Sequence, residues 1–525
     1  MHNKAHAPII QTPNPLLPDI FALHGKWRAK KPALIAGGDI QTWHEFAENL
    51  NRIANGIAAM GLSKGDCVIV IMRNGAAMAE TLFGLMMGGF VSAPLNLSVT
   101  DDALVNMIID SGAKALVVTD DQLGRVDALL PRLPKAIHIN KICAGQPYKD
   151  WTDFQSWKMA QSTARPDVTI APDDYLNIIY SSGTTGQPKG IVHSHKGRRD
   201  WAYDLSIALR YNSSARFLAT IGLYSNITWV GMLCTLLSGG TLIISEKFDA
   251  KALWQQIERD RVTHLSMVPV QYERMMDVDS HAQYDVSSMQ GMMSAGSPLR
   301  EPVKAALFER FDCGIIELYG LTEGVITTLD PEDAAGRLAS VGLPLMGTDI
   351  VILDDNDRPC KAGQSGEILS YGRIAMPGYL GREDASREAL WVDGKGRHWL
   401  RTGDIGFLDD DGYLYIVDRK KDMILSGGQN IYPQDIEAVL VTHDDVSDVA
   451  VIGVKSHKWG ETPIAIVAPK NGAFDTDAVK AWANAKLGKQ QRIAGIDIID
   501  EIPRNPNGKI LKRELRKRYE GQIFD

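Results

Sequence analysis

A glycine-rich stretch that combines hydroxyl side chains with one lysine is the first feature of this chain that could do chemistry. It reads YSSGTTGQPKG over residues 180–190. Consecutive backbone N–H groups of such a turn, together with hydroxyls and an ammonium group, form a cradle for phosphate oxygens. The preceding residues NIIY predict a buried strand, so we expect the loop at the carboxyl end of a strand, where open α/β sheets bind ligands. A flexible linker of small polar residues is the alternative interpretation.

The stretch departs from the phosphate-binding loop of nucleotide triphosphatases. In that motif, G-x-x-x-x-G-K-[ST], the lysine follows a glycine and precedes a serine or threonine. Here Lys189 follows Pro188 and precedes Gly190. The spacing therefore excludes that motif, and the phosphate-binding interpretation depends on the residue types alone.

Helices and strands alternate on both sides of the loop. A helix is predicted after residue 42, with Thr42 and Glu45 as a capping box at its start and Gly61 at its end. Strand and helix patterns then follow each other with short turns, the signature of mostly parallel sheets covered by helices. From about Thr348 the pattern changes to short strands and turns, and the last hundred residues predict a small α+β unit. We therefore expect an α/β fold with a large N-terminal domain, a small β-rich subdomain and a small α+β C-terminal domain.

The length of the chain predicts more than one domain. At 525 residues it is too long for a single ordinary core. We predict a large domain over residues 1–420 and a small domain over residues 421–525, with the charged stretch Asp418–Asp422 at the boundary.

Composition narrows the classes of partner. A net charge of −8 argues against a nucleic-acid-binding surface, which is usually basic, and favours small-molecule partners. The five scattered cysteines contain no C-x-x-C pair and predict reduced thiols in a cytoplasmic protein. The N-terminus lacks the apolar segment of a secretory signal. The most apolar stretches, residues 83–97 and 228–244, are shorter than the ~20 residues of a transmembrane helix, while a peripheral membrane contact stays open.

Seven short motifs along the chain occur together in one order. They are YSSGTTGQPKG (180–190), YGLTE (319–323), GE (366–367), RTGD (401–404), DRKKD (418–422), SGGQNIYPQDIE (426–437) and PRNPNGK (503–509). In this order and spacing they resemble the adenylate-forming superfamily of acyl-CoA synthetases, beetle luciferases and peptide-synthetase adenylation domains. The resemblance covers about residue 20 to residue 515 and is closest to the acyl-CoA ligases.

The resemblance implies a two-step reaction. ATP, with Mg²⁺, activates a carboxylic acid to an acyl-adenylate and releases pyrophosphate, and coenzyme A then takes the acyl group as a thioester. It also implies that the small C-terminal domain is mobile and rotates between the two steps about a hinge at Lys421. Because a carboxylate must attack a negatively charged phosphate, the site has to neutralise charge and exclude water.

The resemblance assigns roles to particular residues of the nucleotide site. The phosphate-binding residues are Ser181, Ser182, Gly183, Thr184, Thr185, Lys189 and Thr322. The adenine- and ribose-binding residues are Gly296, Ser297, Glu317, Leu318, Tyr319, Gly320, Asp404 and Arg419. Lys509, Thr184 and Glu323 are the catalytic residues, with Lys509 stabilising the transition state of adenylation and Glu323 also binding Mg²⁺. A helix-start carboxylate is the alternative for Glu323, and a turn residue is the alternative for Asp404.

The resemblance also implies sites for the other two substrates. Ser426, Gly427 and Gly428 are expected beside the pantetheine tunnel of CoA. The acyl pocket is expected to draw on Tyr224, Ser225, Trp229, Met293, Gly320 and Ile326. These residues are mostly apolar, so we expect a hydrophobic acid, either aromatic or medium- to long-chain fatty, without a charged partner beyond the reacting carboxylate.

The sequence departs from the family at one gating position. Many relatives have a histidine where this chain has Tyr224 and Ser225, so that gating role does not carry over. His193 and His195 are spaced for metal binding on one strand, but a structural role is the favoured interpretation because no further ligands cluster with them.

Three other functions stay open from the sequence. The first is a stand-alone adenylation enzyme that loads a carrier-protein thiol, and the second is a light-emitting relative. The third is a non-catalytic ATP-binding scaffold, which the presence of Lys509, Glu323 and Asp404 argues against.

Overall fold

The computed structural model describes residues 14–181, 188–279, 281–427, 429–470, 474–489, 491–504 and 509–524. Among the residues named above, Ser182, Gly183, Thr184, Thr185 and Gly428 lie outside these ranges.

The first part of the chain forms two large sheets. Its strands are β1 (Pro32–Ala36), β2 (Asp39–Thr42), β3 (Cys67–Ile71), β4 (Val91–Pro94), β5 (Ala115–Thr119), β6 (Lys141–Ala144), β7 (Thr152–Asp153), β8 (Tyr175–Ser181), β9 (Lys189–Ser194), β10 (Arg216–Ala219), β11 (Thr241–Ile244), β12 (His264–Met267), β13 (Gly291–Ala295), β14 (Ile316–Gly320), β15 (Ile326–Leu329) and β16 (Leu343–Pro344). The remaining strands are β17 (Thr348–Leu353), β18 (Gly366–Gly372), β19 (Gly378–Tyr379), β20 (Leu390–Val392), β21 (His398–Leu408), β22 (Leu414–Arg419), β23 (Ile424–Ser426), β24 (Gln429–Ile431), β25 (Val446–Ser456), β26 (Gly460–Pro469) and β27 (Gly495–Ile498).

Helices precede, separate and cover these strands. They are α1 (Leu17–Trp27), α2 (Trp43–Ala59), α3 (Ala76–Met87), α4 (Asp101–Asp110), α5 (Asp120–Leu129), α6 (Lys135–Ile139), α7 (Phe154–Met159), α8 (His195–Ala208), α9 (Asn226–Leu237), α10 (Ala250–Arg259), α11 (Pro269–Met276), α12 (Glu301–Arg310), α13 (Glu383–Glu388), α14 (Pro433–Leu440), α15 (Thr476–Lys486) and α16 (Lys512–Lys517). Within the described residues, none of them combines the length and the apolar character needed to cross a bilayer.

Four sheets organise the described residues. The order β16-β15-β14-β13-β12-β10-β11-β1-β2 forms the first, and β19-β9-β8-β4-β3-β5-β6-β7 forms the second. Most neighbours in both sheets are parallel, and the antiparallel pairs lie toward the edges, as with β8 and β9 or β14 and β15. The prediction of a mostly parallel α/β fold is therefore confirmed.

A helical layer lies between the two large sheets. Its hydrophobic cluster, here called the central core, joins side chains of β3 and β10 from opposite sheets with those of α2, α3, α8 and α9. The predicted capping box at the start of α2 is present, since Thr42 accepts from the backbone of Glu45 while Glu45 binds the Thr42 N–H. Local signals of this kind fix where the helix begins.

Two smaller sheets follow along the chain. Strand β21 links β18 and β20 and also pairs with β22, while β23, β25 and β27 all pair with β26 in the last sheet. Lys421 lies between the two sheets, directly after β22. The division into residues 1–420 and 421–525 as separate units stays a prediction.

One expectation about local structure is wrong. His193 lies on β9, but His195 begins α8, because the Ser194 side chain accepts from the Gly197 N–H at 3.0 Å and caps the helix there. The two histidines therefore do not share a strand. Among the described residues, no group of three or more His, Cys, Asp or Glu side chains could hold a metal ion.

Candidate active site

A buried carboxylate and its partners form the best-defined cluster of polar side chains. Asp404 on β21 is 2% exposed and lies opposite Arg419 on β22 in the strand register. Its Oδ1 lies 2.6 Å from Arg419 Nε, and its Oδ2 accepts from the Tyr319 hydroxyl at 2.7 Å. Burial raises the pKa of Asp404, while Arg419 opposes that shift. Each carboxylate oxygen has two acceptor sites, so the group retains capacity for further hydroxyl donors such as those of a ribose.

Lys509 reaches this cluster from the C-terminal part of the chain. Burial, together with the charges of Arg419 and Lys421, lowers the pKa of Lys509 to about 8, and Asp404 and Asp422 oppose the shift. These charges act on Lys509 only because the chain brings it close to them. The structure thus brings together three motifs that are far apart in sequence, RTGD, DRKKD and PNGK.

Glu367 of the GE motif holds two of these motifs in place. It is buried, and its Oε2 accepts from Arg401 at 2.8 Å and from Lys420 at 2.9 Å. Arg401 belongs to the motif that carries Asp404, and Lys420 directly precedes the predicted hinge. Glu367 is therefore a positioning residue for the Asp404 cluster.

The glycine-rich loop connects two antiparallel strands. Strand β8 ends at Ser181 and β9 begins at Lys189, and these two residues are partners in the register. The Lys189 ammonium lies 4.7 Å from the centroid of the Tyr379 ring. The predicted phosphate-binding residues between these strands lie outside the described residues, so their arrangement stays a prediction.

Tyr379 links the loop to the predicted metal-binding residue. Its hydroxyl donates to Glu323 Oε1 at 3.1 Å, and Glu323 is also held by its carbonyl, which accepts from the Met376 N–H at 2.8 Å. The sequence analysis did not identify Tyr379. Its only local signal is a Gly-Tyr pair in a turn-rich stretch, because the two-residue strand β19 that carries it pairs with distant β9.

One carboxylate in this position fits the way Mg²⁺ binds nucleotides. Mg²⁺ keeps several waters and usually takes one or two carboxylates together with substrate phosphates, so it needs no cage of protein ligands. Glu323 is half-buried and its Oε1 already accepts from Tyr379, which leaves its other oxygen for a cation.

The residues predicted for adenine binding lie on neighbouring strand ends. Gly296 follows β13, and Leu318, Tyr319 and Gly320 end β14, with Gly296 in a left-handed conformation at φ 97°. The side chain of Glu317 is buried and ion-paired with Lys304, and it lies on the same face of β14 as Tyr319, two residues further along the strand. Ser297 and Thr322 are half-buried in the turns that follow β13 and β14.

The residues predicted for the acyl pocket gather at the central core. Trp229, Met293 and Ile326 belong to this cluster, and Tyr224 packs against it. Ser225 is buried and directly precedes α9, the helix that carries Trp229. Gly320 is exposed, at the end of β14. The structure therefore brings the apolar members of this set together, next to the strand ends that carry the nucleotide residues.

The predicted edge of the CoA tunnel includes one residue that must be glycine. Gly427 has a φ of 57°, and a β-carbon there would lie 2.9 Å from a ring carbon of Trp459. Ser426 is buried and pairs with Gly460. Any larger residue at position 427 would strain the backbone and displace the indole.

Comparisons with known proteins match most of this chain. The family model described as AMP-binding enzyme matches residues 22–380, and the one described as AMP-binding enzyme C-terminal domain matches residues 435–509. A feruloyl-CoA synthase of an Amycolatopsis species is 33% identical over 489 residues, which cover 92% of this chain and 95% of that protein. A long-chain-fatty-acid–CoA ligase of Mycobacterium tuberculosis is 31% identical over 487 residues, covering 92% and 94%.

Solved structures show the same fold. The ATP-bound crystal structure of MatB from Rhodopseudomonas palustris superposes with a TM-score of 0.87 at 25% identity, covering 96% of this chain and 99% of that one. An anthranilate CoA ligase in complex with anthranoyl-AMP superposes with a TM-score of 0.86 at 25% identity, covering 96% and 97%.

Proposed function

This chain belongs to the AMP-binding enzyme family, and on that premise we propose that it activates an apolar carboxylic acid, aromatic or fatty, for transfer to coenzyme A. The reaction class is that of an AMP-forming acid–thiol ligase, which uses ATP and Mg²⁺ and takes CoA as its second substrate. An aromatic acid and a long-chain fatty acid are each the substrate in the name of a relative above 30% identity.

In the first step a carboxylate oxygen of the acid attacks the α-phosphorus of ATP, and pyrophosphate leaves. The observation that carries this proposal is the position of Lys509 beside Asp404 and Arg419. We assign Lys509 to the negative charge that develops between the attacking carboxylate and the α-phosphate. Asp404 binds the ribose hydroxyls, and Lys189 with the glycine-rich loop receives the departing pyrophosphate. Bound Mg²⁺, held by Glu323, supplies further positive charge at the phosphates.

In the second step the CoA thiolate sulfur attacks the acyl carbonyl carbon, and AMP leaves. Lys509 cannot stay at the reacting group if the thiol is to approach from the same side, so we assign Lys421 to a hinge that withdraws it. Gly427 leaves room for the pantetheine arm. We also propose a cytoplasmic location, because all five cysteines are free thiols.

The direct test is to incubate the protein with ATP, Mg²⁺ and a panel of aromatic and fatty acids, with and without CoA. AMP, pyrophosphate and acyl-CoA are then quantified by mass spectrometry, with Lys509→Ala as the control. We expect AMP and acyl-CoA with one class of acid. Pyrophosphate without a thioester would instead indicate a carrier-protein acceptor, and absence of turnover with every acid would contradict the proposal.

A further inference from the structure

A buried guanidinium, without a counter-charge in the described part of the chain, lies against a residue predicted for the acyl pocket. Arg198 on α8 is 1% exposed. Its guanidinium carbon lies 4.8 Å from the ring centroid of Trp201 and 5.2 Å from that of Trp229. Its Nε donates to Asn177 Oδ1 at 3.1 Å. Among the described residues no carboxylate pairs with it, and burial alone lowers its pKa to about 9.

The polar groups around this guanidinium also lack partners. Buried nitrogen atoms without a hydrogen-bond partner among the described residues include Arg198 Nη2, Asn177 Nδ2, His193 Nε2 and Trp229 Nε1. Asn177 and His193 are register partners on β8 and β9, so they lie side by side under α8. Burial and the charge of Arg198 hold the pKa of His193 well below its usual range, so its ring is neutral. The group as a whole has spare donors and an excess positive charge.

Such an arrangement is unfavourable unless something completes it. A buried charge without a partner destabilises a protein, and so does a buried donor that makes no hydrogen bond. A buried ion pair in the same core provides a comparison. Lys158 lies 2.8 Å from Glu80 Oε2, and both side chains are buried. Among the described residues, Arg198 has no carboxylate partner that corresponds to Glu80.

The ligand that fits this group is an anionic oxygen. It would supply both the missing negative charge and acceptors for the N–H groups. Trp229 belongs to the residues we assign to the acyl pocket, so the guanidinium and the pocket share one indole. His193 lies four strand residues, or about 13 Å at ~3.3 Å per residue, from Lys189 at the phosphate loop. The group is therefore well separated from Lys189 and the predicted phosphate site.

We propose that Arg198, with Asn177 and Trp229, recognises a second acidic group at the end of the acyl chain remote from the reacting carboxyl. This inference rests on the proposed function and narrows its substrate class. The acid is apolar along its length and ends in an anionic oxygen, such as a carboxylate. It departs from the expectation from sequence, in which the acyl pocket needs no charged partner beyond the reacting carboxylate.

The test compares matched acids that differ only at the remote end. The pairs are hexanoate with adipate, dodecanoate with dodecanedioate, and para-methylcinnamate with para-carboxycinnamate. The measured quantity is kcat/KM for acid-dependent ATP–pyrophosphate exchange, which needs no CoA. In at least one pair we expect the native protein to prefer the acid-ended member. Arg198→Met should lower that preference about 10- to 100-fold, because a hydrogen bond to a charged group is worth about 1.5–3 kcal/mol.

Two further variants make the comparison specific. Arg198→Lys keeps the charge but loses the planar fork, so it should retain part of the preference. Arg210→Met removes an arginine that pairs with Glu332 at the surface and should leave the preference unchanged. If Arg198→Met does not fold, as judged by circular dichroism, the inference is tested by the preference of Arg198→Lys for the acid-ended member of each pair.

The outcomes separate this inference from the proposed function. If no pair shows a preference for the acid-ended member, or if Arg198→Met leaves that preference unchanged, the inference is overturned and the proposed function still stands. A melting temperature that rises with chloride only when Arg198 is present, with an unchanged preference, assigns the group to an inorganic anion and also overturns it. Absence of exchange with every acid contradicts the proposed function, and this inference with it.

Discussion

The predicted nucleotide side and the predicted acyl side of the candidate site differ in whether their buried charges have partners. On the nucleotide side, Asp404 is buried, but Arg419, Tyr319 and Lys509 lie close enough to offset its charge. On the acyl side, Arg198 is equally buried and has no carboxylate partner among the described residues. Among the described residues, the charges of the first cluster are balanced before any substrate binds, although Asp404 Oδ1 still lacks a hydrogen-bond donor, whereas the charge of the second is balanced only with a ligand. A buried site with balanced charge is therefore preformed, whereas a buried site with unbalanced charge needs its ligand to be complete.

The first prediction compares Arg198 with the buried Lys158–Glu80 ion pair of the same core. Glu80→Gln leaves Lys158 as a buried cation without a partner, so we expect a loss of about 3–5 kcal/mol in the free energy of unfolding. Arg198→Met removes an unpaired charge at similar volume and should change it by less than about 1 kcal/mol, or increase it. Urea unfolding followed by tryptophan fluorescence measures both.

Glu332→Gln is the matched control for this experiment, because Glu332 is exposed and its ion pair with Arg210 lies at the surface. Surface pairs contribute about 0–1 kcal/mol. Equal destabilisation by Glu80→Gln and Arg198→Met would show that Arg198 is structural and would remove the contrast between the two sides.

The second prediction concerns the catalytic charge of the nucleotide side. Lys509→Ala should lower the rate of acyl-adenylate formation about 10²- to 10³-fold, the effect of removing one preorganised group that stabilises developing charge. The loss should be the same for every acid, because we propose that Lys509 acts at the reacting carboxyl. Pyrophosphate exchange measures it, with Lys517→Ala on the exposed face of α16 as control. An acid-dependent loss would place Lys509 in recognition instead.

The third prediction follows from the pKa of Lys509, which is lowered to about 8. Below that pH the ammonium is charged, and above it the charge is lost. We expect kcat/KM for adenylation to fall about tenfold per pH unit above pH 8, since kcat/KM reports the free enzyme. Lys509→Arg should be slower but should show no such fall, because arginine stays protonated. An unchanged decline in that variant would assign the titration to another group.

The smallest expected effect concerns Tyr379. Tyr379→Phe removes the hydroxyl that donates to Glu323 and leaves the ring beside Lys189. We expect the KM for Mg·ATP to rise about 3- to 10-fold, corresponding to one hydrogen bond of about 1 kcal/mol. Tyr371→Phe, at an exposed tyrosine of β18, is the control. An effect on the acid preference would contradict the separation of the two sides.

Sequence patterns predict elements that have strong local signals, but not the contacts between distant elements. The start of α2 could be predicted from local chemistry, because Thr42 and Glu45 are only three residues apart. Strands β1 and β2 have no prediction from the sequence: β2 pairs only with β1, and the other partner of β1, β11, follows much later in the chain. Family resemblance named Asp404 and Arg419 one by one, and the register then showed them to be direct partners.

Arg198 and Tyr379 could not be found from the sequence for the same reason. Arg198 stands in the charged run KGRRD, and such runs usually form solvated helix faces, so nothing local indicates its burial. Only the packing of α8 and α9 between two sheets encloses it. Tyr379 reaches Glu323 through a strand of two residues, too short to leave a pattern.

Strand β1 pairs with β11, which is synthesised much later, so β1 cannot complete its sheet early in translation. Ala36 pairs with Ile244, so at about 5–20 residues per second a ribosome needs roughly 10–40 s between the two. During that interval the apolar residues of β1 have no neighbour on that edge and are exposed to chaperones and to aggregation. Strand β9 waits almost as long, because its outer partner Tyr379 follows Ile191 by 188 residues. A nascent chain that stops before Tyr379 would display the glycine-rich loop on an open sheet edge, so nucleotide binding is expected to be acquired late in synthesis.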